Sequence, residues 1–157
     1  MVDKVLFQSV VTEWETPDDL FASLDREFRF TIDVCATTEN RKVETFYSKE
    51  DDALTQPWNG RVWCNPPYKR GVTEKFIKKG VDEVFSNEAC ELAVFLLPSR
   101  TDTQWFHEYI WDSASHHPRT GVEMRLLRGR IKFIGAVTVN YSAAPFPSVV
   151  IVFRKVK

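Results

Sequence analysis

Apolar residues change their spacing several times along this chain, and each change marks an element. Leu20, Phe21, Leu24 and Phe28 recur at helical spacing. They follow Thr16-Pro17-Asp18-Asp19, which offers a hydroxyl to cap, a proline suited to the first helical position and two acids where the helix dipole favours them. From Phe28 to Val34 the period falls to two. Phe28, Phe30, Ile32 and Val34 share one face and Arg29, Thr31 and Asp33 the other, which predicts a strand ending at Asp33. Residues 37 to 50 are polar and weakly patterned, with room for a short helix and then a strand near Phe46-Tyr47. Residues 1 to 13 have no clear period and read as an arm or short strand.

Arg61 to Cys64 is short, bulky and strand-like, and it runs into Asn65-Pro66-Pro67-Tyr68, where two prolines lack the donors a sheet needs. Val72, Phe76, Ile77, Val81, Val84 and Phe85 then predict an amphipathic helix. Leu92 to Leu97 is apolar without alternation, as in a strand covered on both faces, and Pro98 ends it. Thr101-Asp102-Thr103-Gln104 fits a capping box opening a helix that buries Trp105, Phe106, Tyr109 and Ile110. A loop from Ser113 to Gly121 leads to strand-like residues 122 to 134, and Ser148 to Phe153 reads as another buried strand.

Strands alternating with helices predict an α/β sandwich with a mainly parallel sheet and helices on both faces, a fold that places ligands at the carboxyl ends of strands. Polar clusters fall at three such ends: Asp33 onward, Asn65 to Tyr68, and Ser99 to Asp102.

With 157 residues, 43% of them hydrophobic, the chain can close one core, so residues 1–157 are expected to form a single domain. No apolar run approaches the roughly 20 residues of a membrane crossing, and nothing resembles a signal peptide, so a cytoplasmic protein is expected. Cys35, Cys64 and Cys90 are odd in number and lack the close pairs of a zinc ribbon, and His116-His117 would need further ligands, so no metal is expected. A formal net charge of −1 argues against a uniformly basic coat. Two stretches are nonetheless basic: Lys69, Arg70, Lys75, Lys78 and Lys79, and Arg119, Arg125, Arg128, Arg130 and Lys132. They form either one groove or two solvated faces.

Asn65-Pro66-Pro67-Tyr68 is the strongest chemical signal. An amide oxygen and the Pro66 carbonyl can both accept from one planar amino group, while Tyr68 offers a face on which a base stacks. The amino nitrogen of adenine is a poor nucleophile because its lone pair is spread into the ring. Two acceptors on its N–H bonds favour a more pyramidal nitrogen and stabilise the positive charge that develops on attack. The same tetrapeptide would also serve as a rigid turn.

Here the chain resembles the amino-group DNA methyltransferases, most closely the small phage-type, Dam-like adenine-specific family. The resemblance rests on Trp14 with Thr16-Pro17, Asp33-Val34-Cys35-Ala36, Asp52-Ala53-Leu54 with Trp58, Trp63-Cys64 with Asn65-Pro66-Pro67-Tyr68, Leu97 to Thr103 with Trp105-Phe106-His107, Gly129 to Phe133, and Ala144-Pro145-Phe146-Pro147-Ser148. These segments span nearly the whole chain in a consistent order.

The resemblance implies a Rossmann-like class I methyltransferase fold that moves a methyl group from S-adenosylmethionine to adenine N6 in DNA, with Asn65, Pro66, Pro67 and Tyr68 catalytic. It implies cofactor contacts from Trp14, Thr16, Pro17, Asp33, Cys35, Ala36, Asp52, Leu54 and Asn65, with Asp52 accepting the cofactor's adenine amino group. The turn Val34-Cys35-Ala36-Thr37 lacks the glycines many relatives place there. Asp33 would equally cap a helix, and Asp52 would equally be a solvated turn acid.

Reaching N6 in a duplex requires extrusion of the base. Lys69, Arg70, Arg100, Arg128, Arg130, Lys132 and Phe133 are the expected DNA contacts. There is no room for a separate target-recognition domain, so recognition is expected from loops or from a second subunit in a homodimer. The family's setting implies a phage- or prophage-encoded protein acting in a bacterial cytoplasm, in the context of restriction and modification. Two other readings remain open: transfer to RNA adenine, cytosine N4 or a protein glutamine, and a nucleic-acid-binding module without catalysis.

Overall fold

The computed structural model describes residues 14–134 and 144–156. The expectation for residues 1 to 13 therefore lies outside the described residues. Helix α1 is Asp18–Phe28 and α2 is Thr73–Ser86. The strands are β1 Ile32–Asp33, β2 Gly60–Cys64, β3 Cys90–Pro98, β4 Trp111–Asp112, β5 His117–Pro118, β6 Val122–Leu126 and β7 Ser148–Arg154. A central sheet runs β1-β2-β3-β7-β6, and β4 with β5 forms a separate hairpin.

The sheet is mixed. β1, β2 and β3 pair in parallel, while β7 lies antiparallel to both β3 and β6. Side chains of β2, β3 and β7 alternate between two cores, as strand geometry requires. Val62, Cys64, Ala93, Phe95, Leu97, Val149, Ile151 and Phe153 meet Ile77 and Val84 of α2. Trp63, Val94, Leu96, Val150 and Val152 meet Phe21, Leu24 and Phe28 of α1. A helix therefore covers each face, which is why these strands read as unbroken apolar runs. Trp58 and Trp63 are core residues. Gly80 lets α2 sit close to the sheet: a Cβ there would meet the Phe95 ring at 2.6 Å.

Several boundaries differ from the sequence pattern. Phe28 ends α1 rather than opening a strand, because Arg29 adopts a left-handed conformation (φ 52°) and turns the chain. Phe28 and Phe30 consequently pack on the α1 face while Ile32 and Val34 pack on the α2 face. Residues 37 to 50 hold no helix, but Phe46 bridges in parallel to Asp33 on the outer edge of β1. The expected capping box does not form. The Thr103 hydroxyl donates to the Arg100 carbonyl at 2.7 Å, and the helical turn at Phe106–Ile110 is of the wide π type. That turn buries Trp105, Phe106 and Ile110 together and leaves Tyr109 half-exposed. Ser113 to Gly121 is partly ordered as the β4–β5 hairpin, β6 ends at Leu126, and Phe85 is 43% exposed.

Candidate active site at the strand ends

β2 stops at Cys64 because Pro66 and Pro67 cannot continue its ladder. The next residues fold over β3. Leu96 lies one residue beyond the last β2–β3 pair, Cys64 with Phe95, and its carbonyl accepts the Tyr68 hydroxyl at 2.8 Å. Burial holds the Tyr68 phenol well above the usual tyrosine range, so it remains a donor. The Thr73 hydroxyl, at the start of α2, donates to the Pro67 carbonyl at 2.6 Å, and its oxygen accepts the Lys69 N–H at 3.0 Å. The Pro66 carbonyl has no donor among the described residues.

Asn65 is oriented by the segment just before α1. Its Nδ2 donates to the Trp14 carbonyl and to Thr16 Oγ1, the latter at 3.1 Å. Thr16 is 2% exposed and does not cap α1, which starts from Pro17 without a side-chain cap. Among the described residues two buried side-chain polar atoms lack a partner, Asn65 Oδ1 and Ser148 Oγ. The cost of burying such an atom, about 1–3 kcal/mol, makes each one in want of an explanation.

Asp33 closes β1 at 2% exposure, its carboxylate accepting the Cys35 N–H at 3.2 Å and the Lys42 N–H at 3.1 Å. Burial dominates these bonds and raises its pKa to about 6. The Lys42 ammonium reaches Glu15 at 3.1 Å and Asp18 at 2.9 Å with its side chain 8% exposed. Burial works against that ammonium, yet its bonds to Asp18 and Glu15 prevail and hold its pKa above the ordinary lysine value. Ala36 is buried, and its N–H donates to the Tyr47 carbonyl at 3.1 Å. In the acidic run before Trp58, Asp51 accepts from Ser48, whereas Asp52 takes a left-handed conformation (φ 53°) with its carboxylate exposed. Leu54 sits half-buried in the 3-10 turn Ala53–Thr55.

Trp14, Ala144 and Phe146 form a small apolar cluster against which Tyr68 and Phe133 pack. Tyr68 meets Phe133 and Phe146 edge-on, with ring centroids 6.2 and 5.5 Å away. The Arg100 guanidinium lies over Phe146 at 5.9 Å. Arg100 thus borders the aromatic cluster, Lys69 and Lys132 adjoin Tyr68 and Phe133 in the chain, and Arg70, Arg128 and Arg130 are exposed nearby in sequence. None of these six pairs with a carboxylate among the described residues. The rest of the two basic stretches is mostly committed elsewhere: Lys78 to Asp82, Lys79 to Glu83, Arg125 to Glu27 and Glu123, and Arg119 to the His107 carbonyl. His107 has both ring nitrogens engaged, with the Thr101 carbonyl and Ser113 Oγ.

Lys42, Thr73, Phe146 and Ser148 were not singled out for a role by sequence reasoning. Thr73 had a signal, a hydroxyl residue at a helix start. Lys42 had none, since its partners are 24 and 27 residues away. Among the described residues no three His, Cys, Asp or Glu side chains gather as a metal site, and no helix is long and apolar enough to cross a membrane.

Fold and site together define an α/β domain with its polar site at the carboxyl edge of three parallel strands. The chain belongs to the DNA N-6-adenine-methyltransferase (Dam) family, whose model matches residues 5–157. It is 32% identical over 135 residues to a DNA N-6-adenine-methyltransferase of Escherichia phage T1, covering 80% of this chain and 55% of the relative. It is 34% identical over 97 residues to a protein of the same name from Haemophilus phage HP1, covering 59% of this chain and 53% of that relative. The matches thus span about half the length of these two relatives.

Proposed function

We propose that this chain transfers a methyl group from S-adenosylmethionine to the exocyclic N6 of adenine in DNA, receiving the extruded base at Asn65-Pro66-Pro67-Tyr68. The observation that carries this reading is Asn65 Oδ1, buried without a partner while its own Nδ2 is held from behind. With the undonated Pro66 carbonyl it supplies two acceptors, the number a planar amino group can satisfy. The names of the two phage relatives support the same reaction. We read the sheet as the Rossmann-like sheet of class I methyltransferases, on the strength of parallel β1–β3, a helix on each face and polar turns at strand ends.

The residues fit the cofactor. Trp14 and Thr16 border Asn65 with Pro17 next in the chain, the Asp33-Cys35-Ala36 turn closes the neighbouring strand, and Asp52 and Leu54 lie on the following turn, with the Asp52 carboxylate open to accept an amino group. When bound, S-adenosylmethionine supplies an electrophilic methyl group. Asn65 Oδ1 and the Pro66 carbonyl accept hydrogen bonds from the N6 amino group, orient the nitrogen lone pair and stabilise the charge that grows on N6. Tyr68 and Phe133 pack on the base, and because Oδ1 is shielded from solvent, base capture includes displacement of side chains around it. Lys69, Arg70, Arg100, Arg128, Arg130 and Lys132 hold backbone phosphates. Target choice comes from loops or a second subunit, and the reaction takes place in the cytoplasm of a bacterial host.

Transfer of labelled methyl to unmethylated DNA, followed by nucleoside separation, tests the reading. Label in N6-methyladenine with wild type and none with Asn65→Ala supports it. Label on RNA, cytosine or protein amides instead would replace the substrate while keeping the site.

A further inference from the structure

The orientation of the Asn65 amide has a physical cause outside the Asn-Pro-Pro-Tyr turn. A carbonyl only accepts hydrogen bonds, so the Trp14 carbonyl excludes the reversed amide, in which Oδ1 would face another oxygen. Thr16 Oγ1 accepts from the same Nδ2 at 3.1 Å. With both acceptors behind it, the amide can present only its oxygen forward, and that oxygen is the unpartnered one.

The segment supplying these acceptors is itself anchored. Lys42 joins Glu15 and Asp18, the residues bracketing Thr16-Pro17, and its own N–H binds the Asp33 carboxylate. The Ile134 N–H donates to the Glu15 carbonyl at 3.0 Å from the other side. We infer that Thr16 is a positioning residue that, beside the Trp14 carbonyl, holds the Asn65 amide in this orientation, and that Lys42 fixes the Trp14–Asp18 segment that carries both acceptors.

The consequence for turnover rests on the proposed reaction, but the amide geometry does not. Thr16→Val is nearly isosteric and removes the acceptor, Thr16→Ser retains it, and Lys42→Met removes the anchor at a distance from Asn65. In the protein without cofactor or DNA, the Asn65 side-chain amide is followed by nitrogen-15 NMR, with its signals identified by their loss in Asn65→Asp. The wild type should show a downfield, exchange-protected pair. Thr16→Val should move one proton upfield and speed its exchange about tenfold, the equivalent of one lost hydrogen bond. Thr16→Ser should keep the wild-type pattern, and Lys42→Met should speed exchange of both protons.

Free-amide exchange in the wild type, or an unchanged pattern in Thr16→Val, would overturn the inference. In methyl transfer, Thr16→Val should lose about tenfold in kcat with the KM for DNA unchanged, and Thr16→Ser should restore it. The predicted amide pattern together with a wild type that methylates no adenine would leave the positioning role standing and remove the proposed reaction.

Discussion

The Thr73 hydroxyl donates to the Pro67 carbonyl at 2.6 Å, joining the turn that follows β2 to the first residue of α2. The same oxygen accepts the Lys69 N–H, so one buried side chain satisfies two main-chain groups that the prolines leave without sheet partners. The turn carrying Pro66 and Tyr68 is thus tied to helix α2 through Thr73 as well as to β3 through the Tyr68 hydroxyl.

Thr73→Val keeps the shape and deletes both bonds. It should lower unfolding free energy by about 1–3 kcal/mol, and Thr73→Ser should recover most of it. Urea unfolding checks this. If the turn positions Pro66 and Tyr68, methyl transfer by Thr73→Val should fall even at temperatures where the protein stays folded. Equal stability of the Val and Ser variants would remove Thr73 from this role.

Asp33 gives a pH dependence of defined sign. Its folded pKa of about 6 lies above the usual carboxylate value, so between about pH 4 and 6 the folded state holds a proton that the unfolded state has lost. Stability contributed by this group is therefore fully present below about pH 4 and declines as pH rises toward 6, by up to about 3 kcal/mol. Asp33→Asn, which cannot ionise, should flatten that part of the profile. It should also lower stability at acid pH, because its amide NH2 would face one of the two N–H donors from Cys35 and Lys42. Urea midpoints measured from pH 4 to 7 decide the matter. Because carboxylates such as Glu27 and Glu83 are held low and act in the opposite sense, the wild-type profile is read against that of Asp33→Asn, and a difference between the two that does not fall over this range would contradict it.

Which features were legible in the sequence follows from how local their causes are. β3 and β7 appear as apolar runs because each is covered on both faces, and the turn at Asn65 is forced by two adjacent prolines. α1 is carried by its own periodicity. The end of α1 is not, since Phe28 satisfies both the helical and the alternating pattern and only the left-handed Arg29 decides between them. The same limit applies at the site. Asn65 and Tyr68 announce themselves by their neighbours, but Thr16 looks like a helix cap and is instead bonded to Asn65, 49 residues on. Lys42, in a polar loop, has a role only because the fold brings Glu15 and Asp18 to it.

Tyr68 combines two functions that substitution can separate. Tyr68→Phe removes the hydroxyl that donates to the Leu96 carbonyl and should cost about 1 kcal/mol of stability while preserving the ring and most base capture. Tyr68→Ala removes the ring and should weaken productive DNA binding by about 1–3 kcal/mol. Comparing KM for DNA with thermal unfolding in the two variants separates them. A Tyr68→Ala variant whose loss of activity merely follows its loss of stability would assign the ring to packing against Phe133 and Phe146 alone.

The distribution of ion pairs predicts which cations meet DNA. Lys69, Arg70, Arg100, Arg128, Arg130 and Lys132 are exposed with no carboxylate partner among the described residues, whereas Lys78 and Lys79 are engaged on α2 and Arg125 is clamped by Glu27 and Glu123. A phosphate contact releases counterions, so each contact adds about 0.9 to the slope of log binding constant against log salt. Replacing Arg130 or Lys132 by Ala should therefore weaken binding to all DNA sequences alike and reduce that slope by about one unit per residue. Lys78→Ala and Arg125→Ala should leave the slope unchanged, although Arg125→Ala also frees Glu27 and Glu123 and should destabilise the β6–α1 junction. Anisotropy titrations of a labelled duplex across a salt series supply the slopes. If Lys78→Ala lowered the slope as much as Lys132→Ala, the DNA-facing surface would have to extend along α2 to the Lys78–Asp82 pair.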